Sequence, residues 1–256
     1  MIVKDNARPA ESGHWYTKDG EPMYEIVGSN GKIRATTLRD AKKIGLVPSV
    51  TTIIGQLNKP ALIGWAQKQV LLSALTLPRL PNEDEESYIE RILQDSKEEG
   101  RRAADRGTAV HAGIQNHFEG NPVPEYQKHY ENVSEELKKA FGEQKWIAEE
   151  AFAHTLGFGG KVDLHSKKVD GLNNGFVVDI KTKDKDLDKA TPYWEHILQL
   201  SAYREGLGID MARCAIVFVH SGTGEAKLHE ITDGELMDAW SCFQNLALYY
   251  FTKNKI

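Results

Sequence analysis

An acid and a lysine stand two residues apart in the apolar run Phe176-Val177-Val178-Asp179-Ile180-Lys181-Thr182. Extended backbone alternates its side chains between two faces, so Asp179 and Lys181 share one face and Phe176, Val178 and Ile180 the other. Upstream, Phe158-Gly159-Gly160-Lys161-Val162-Asp163-Leu164 alternates in the same way and is expected to set Lys161, Asp163 and His165 on a common face. The segment between them, Lys167 to Gly175, is rich in turn residues and closes on Asn174-Gly175, a hairpin signal. Pairing the two strands would bring Asp163, Asp179 and Lys181 onto one surface. Two carboxylates crowded there repel one another unless a cation, most simply a divalent metal, compensates them.

The elements that must position these groups change character along the chain. Residues 14–37 read as a β-hairpin turning at Gly28-Ser29-Asn30-Gly31, and Ser49 has the type and place of a helix N-cap before Val50. Lys59-Pro60 opens a second helix with proline in its first turn, closed by Pro78 and Pro81. Residues 83–118 are helical and charged, with breaks expected near Gly100 and Gly107, and 129–145 form an amphipathic helix. Strands are expected over 146–155, 158–166 and 175–182, a helix over 190–206, strands over 214–219 and 225–231, and a helix over 233–252. This order predicts an α/β fold, a mixed central sheet flanked by helices, preceded by an N-terminal β-hairpin and helical block over 1–145. No linker-like change of composition divides the chain, so 1–256 is expected to be one domain.

Composition narrows the function. With 256 residues and 40% hydrophobic content the chain can bury a substantial core. It contains no apolar run of about 18 residues, and Met1–Pro9 lacks the apolar core of a signal peptide, which predicts a cytoplasmic protein with no membrane partner. Cys214 and Cys242 lie far apart without metal-binding spacing, which argues against an iron–sulfur or zinc site. A net charge of −5 requires that any nucleic-acid partner be met by a local basic groove.

Further residues carry weaker signals. His111 lies among small residues in Gly107-Thr108-Ala109-Val110-His111-Ala112-Gly113, which permits close helix–sheet approach, although a lone helical histidine is more often structural. Glu149 and Glu150 lead into the first strand of the sheet, and either can be the acid that faces the site. His196, Gln199 and Tyr203 recur at helical spacing; the plain expectation is a wet face turned outward. Arg101, Arg102 and Arg106 are candidates for phosphate contacts, or else pair with Glu98, Glu99 and Asp105. Trp65 is expected in helical core.

Singly these are slight; their order is not. His111, Glu149, Gly160-x-x-Asp163, Asp179-x-Lys181-Thr182 and Gln199-x-x-x-Tyr203 follow one another on the expected elements. In this arrangement, from about Pro48 to Gly208, the chain resembles the PD-(D/E)xK nuclease superfamily, in its RecB-like branch with phage exonucleases and the mitochondrial genome maintenance exonuclease. The resemblance implies a restriction-endonuclease-like core and a metal-dependent DNA exonuclease of replication or recombination, with a flap endonuclease or a silent DNA-binding module as alternatives. It makes His111, Asp163, Asp179 and the carbonyl of Ile180 ligands of Mg2+ or Mn2+, in a pair of ions, and Lys181 the group that positions the attacking water. Glu149, Gln199 and Tyr203 would complete the catalytic set, while Ser49, Thr51, Thr182 and Lys183 would join the three arginines on DNA. Implied partners are DNA, single-stranded or end-bearing, and a single-strand annealing or binding protein. An arch over residues 49–118 would thread a single strand. Some relatives carry a cysteine-bound iron–sulfur cluster, which Cys214 and Cys242 alone cannot ligate.

Overall fold

The protein is described by a computed structural model that covers residues 13–166, 175–209 and 211–256. The expected turn at 167–174 lies outside the described residues. The N-terminal part begins with β1 (Trp15–Tyr16), the hairpin strands β2 (Glu25–Val27) and β3 (Ile33–Ala35), α1 (Leu38–Ile44) and β4 (Val47–Pro48), the last pairing antiparallel with β1. Helix α2 (Val50–Ile54) starts at Ser49, whose hydroxyl accepts from the Thr52 N–H at 2.9 Å, so the expected N-cap is present. Helix α3 (Pro60–Thr76) has its proline in the first turn, as expected.

Helix α4 (Glu85–Phe118) is one unbroken helix of 34 residues, capped by Asp84. The expected breaks at Gly100 and Gly107 are absent. Each glycine costs a helix roughly 1 kcal/mol relative to alanine, but here the missing side chain makes room for a neighbour. A Cβ on Gly107 would lie 2.8 Å from Thr182 Oγ1, and one on Gly100 would lie 3.2 Å from the Trp65 ring. Trp65 itself is 41% exposed on α3 rather than in a core, because α3 packs on α4 and not on the sheet.

After α5 (Gln127–Phe141), the chain builds a five-stranded sheet from β5 (Ile147–His154), β6 (Phe158–Ser166), β7 (Phe176–Lys183), β8 (Arg213–His220) and β9 (Ala226–Ile231), in that spatial order. All neighbours are antiparallel except β7 and β8, which run parallel because α6 (Trp194–Gly206) crosses between them. Helix α7 (Asp233–Asn254) follows, capped by Thr232. The sheet is therefore mixed, with helices on both faces. One core lies between the sheet and α2, α6 and α7, including Val177, Ile216, Phe218, Leu198 and Phe243. The other holds Val178, Ile180 and Val217 against Val110 of α4 and Leu137 of α5. Strands β7 and β8 are apolar on both faces, as strands covered by helices on each side must be.

Of the two thiols, Cys214 is buried in β8 and Cys242 is exposed on α7. Among the described residues no helix is long and apolar enough to cross a membrane.

Candidate active site

Strands β6 and β7 pair only over Leu164↔Val178, His165↔Val177 and Ser166↔Phe176. Asp163 and Asp179 are the first residues beyond the last of these pairs, where the strands part. In place of a further backbone bond, the Ile180 N–H donates to Asp163 Oδ2 at 2.7 Å. Asp163 also marks a break in alternation. Val162 packs in the core beneath α6 and Leu164 in the core beneath α4, so the two fall on opposite faces despite their spacing of two. Across the ladder, Glu149 sits between the pairs Ala148↔Leu164 and Glu150↔Val162 with φ at 57°, a conformation that non-glycine residues rarely adopt. The expectation that Lys161, Asp163 and His165 share one face therefore fails. Lys161 pairs with Glu149, and the buried His165 places Nε2 2.6 Å from Glu150 Oε2.

From the β7 side a polar chain runs into the same place. Asp179 is 1% exposed, with Oδ1 and Oδ2 at 3.0 and 2.8 Å from Lys181 Nζ. The bond to Oδ1 is aligned; Oδ2 makes the ion-pair contact but accepts no hydrogen bond among the described residues. Lys181 Nζ also donates to Gln199 Oε1 at 3.0 Å, and Gln199 Nε2 donates to the Tyr203 hydroxyl at 2.8 Å. Tyr203 is buried and Gln199 faces the site, so this stripe of α6 points inward, not toward solvent as the spacing alone suggested. Burial disfavours the Lys181 ammonium, but Asp179 and Asp163 more than offset this and its pKa is raised. Burial, followed by the charge of Asp179, pushes the Asp163 carboxyl above its ordinary value. The Tyr203 hydroxyl is raised well above its usual value, chiefly by burial.

Helix α4 delivers His111, whose Nδ1 lies 3.8 Å from Asp163 Oδ2, and Gly107 lets the helix approach Thr182. Among the described residues no three His, Cys, Asp or Glu side chains form a ready-made metal cage. The arginines are held by acids: Arg101 and Arg102 by Glu98, at 2.9 and 3.9 Å, and Arg106 by Asp184 at 2.9 Å and Glu99 at 3.5 Å. Ser49 is buried and spends its hydroxyl on Thr51 and Thr52, whereas Thr51 lines a cleft that also reaches Lys181. Lys183 lies over the Tyr193 ring, 5.0 Å from its centroid.

Tyr16 and Tyr24 carried no signal in the sequence. The Tyr16 and Tyr24 hydroxyls meet at 2.6 Å, and the charge of Glu149 contributes to a raised Tyr16 pKa whose main cause is burial. His196 is lowered to about 4 by burial first, then by Lys181. Glu149 and Tyr16 lie more than a hundred residues apart, an approach that no local spacing reveals.

No protein-family model and no curated protein matches the chain. Among solved structures it is similar to a "Putative exonuclease" from Eubacterium rectale, at 14% identity and a TM-score of 0.41, over 59% of this chain and 68% of that one. It is also similar to a protein named SSO0001, at 15% identity and a TM-score of 0.31, over 73% of this chain and 86% of that one. Likeness at this level assigns no activity.

Proposed function

We propose that the protein is a divalent-metal-dependent deoxyribonuclease of the PD-(D/E)xK type that degrades DNA from its ends, with a single strand at the site, in replication or recombination. The observation that carries this reading is the meeting of Asp163 and Asp179 where β6 and β7 part, with Lys181 against the same carboxylate. A purely structural ion pair needs one acid for one ammonium. Here a second, partly buried acid stands beside the first, and burial followed by the charge of Asp179 raises the Asp163 pKa.

The donor set fits a hard cation. Asp179 Oδ2 is a buried acceptor without a hydrogen bond, and in extended backbone the carbonyl of Ile180 faces the same edge as the N–H that meets Asp163. Asp163, Asp179, the Ile180 carbonyl and His111 would hold Mg2+ or Mn2+. The bound metal would neutralise charge on the phosphodiester and acidify a water. Lys181, kept protonated by its two acids, acts as a donor that orients the water and the phosphate rather than as a base. Gln199 fixes the ammonium by accepting from it, and Tyr203 anchors the Gln199 amide. Glu149 stands opposite Asp163 on β5 and is paired with Lys161.

The test is digestion of strands labelled and blocked separately at the 5′ and 3′ ends, linear or circular, with Mg2+, Mn2+ or EDTA. Metal-dependent loss of linear strands, sparing of circles and a drop of about 10²–10³-fold in Asp179→Asn are expected. Wild-type rates in Asp179→Asn would remove the assignment. Attack on circles would replace end-directed degradation with endonuclease action.

A further inference from the structure

A cleft of about 610 Å³ opens beside the acids, between the first turns of α3 and α6. Pro60 and Leu62 line it from α3, Tyr193 and His196 from the start of α6, and Lys181 and Gln199 where it meets the site. The volume is within the range of roughly 300–1,000 Å³ common for small-molecule sites. Its lining combines flat or apolar side chains with positive charge. Lys59 lines it and Lys183 lies over the Tyr193 ring, while Lys181, already paired with Asp179, closes its inner end; among the described residues of the lining Glu195 is the acid. Tyr193 remains 57% exposed and Leu62 57% exposed, so both present open apolar surface. A buried core role explains neither, and flat apolar surface set beside lysines suits a base together with its flanking phosphates.

We infer that this cleft is the subsite for one unpaired nucleobase, stacked on Tyr193 opposite Pro60 and Leu62, adjoining the phosphate at Asp163 and Asp179. A base inside a duplex has both faces covered by its stacked neighbours. Away from a duplex terminus, a base must leave the stack to offer one to Tyr193. The lysines contact the flanking phosphates, and aromatic stacking beside basic side chains holds a strand without reading its sequence. The subsite rests on the nuclease reading and adds to it where one base of the single strand is held, splayed from its neighbours.

The experiment uses the full chain with Mn2+ and end-labelled 20-nucleotide strands, intact or with one abasic position moved stepwise from the end. Tyr193→Ala is expected to raise KM for the intact strand roughly tenfold, the loss of one stacked base, while Tyr193→Phe keeps the wild-type KM. The backbone N–H of Tyr193, which donates to His196 Nδ1 at 3.3 Å, is unaffected by either change. In the wild-type protein one abasic position reproduces the loss, and combining it with Tyr193→Ala adds nothing further. A wild-type KM in Tyr193→Ala, or losses that multiply independently, overturns the subsite while leaving the nuclease reading intact. If wild-type protein cleaves no strand and Asp179→Asn binds none, the nuclease reading itself falls, and the subsite with it.

Discussion

The ionisable side chains around Lys181 respond to one another, so a change of pH reaches several at once. His196 is the most useful of them because its direction is opposite to that of Asp163. Its pKa falls from 6.5 to about 4 by burial and by the nearby ammonium. Between those two values the unfolded chain takes up a proton that the native chain refuses, so stability is lost as pH falls through that window. The full effect is about 1.4 kcal/mol per pH unit; because part of the ring meets solvent, about 1–2 kcal/mol in total is the appropriate scale. Asp163, raised in the folded state, works the other way and gains as acid is added. Subtracting His196→Asn from wild type isolates the histidine, since the shorter side chain keeps an acceptor near the Tyr193 N–H but does not titrate. Urea unfolding at pH 7 and pH 5 is expected to show a smaller acid loss in His196→Asn. Equal losses would mean that the imidazole titrates as an ordinary surface group.

Helices and strands here are shaped by glycine in ways that depend on what each glycine touches. A Cβ at Gly206, on α6, would lie 1.9 Å from the Phe152 ring of β5, whereas one at Gly64, within α3, would meet nothing within 4 Å. Gly206→Ala is therefore expected to destabilise by about 1–3 kcal/mol through overpacking, and Gly64→Ala to stabilise by about 0.5–1 kcal/mol. Chemical denaturation of the two variants checks both signs. The same contrast explains what could be read from the chain alone. Strand positions followed from alternation and apolar runs, and a mixed sheet from the order of the elements; which pair runs parallel did not. The continuity of α4 did not, because a glycine counts locally as a breaker and its neighbour, Thr182 or Trp65, is known only after folding. The reversal at Asp163 was hidden for a related reason. Alternation assumes a regular ladder, and the left-handed Glu149 opposite it belongs to another strand. The Asp179, Lys181, Gln199 and Tyr203 chain was legible as a set of residue types; its inward direction was set by α6 packing.

Across the molecule the charge is spread so that local needs are met locally. Arg101, Arg102 and Arg106 of α4 are already paired with acids, and lysines line the cleft beside the site instead. On the proposed reading, a cation held between Asp163 and Asp179 would bind only the folded chain and would raise the melting temperature as well as support cleavage. At a hundredfold excess over its dissociation constant the gain is about 2.7 kcal/mol. Calorimetry with and without Mn2+ is expected to show this shift in wild type and its loss in Asp179→Asn; a shift retained in the variant would place the ion elsewhere. The contrast between Cys214, buried and pushed up to about 12, and Cys242 on the open side of α7 has a practical outcome. A maleimide dye added to the native protein will attach at one position only, giving a uniformly tagged reporter for binding experiments without any engineered handle.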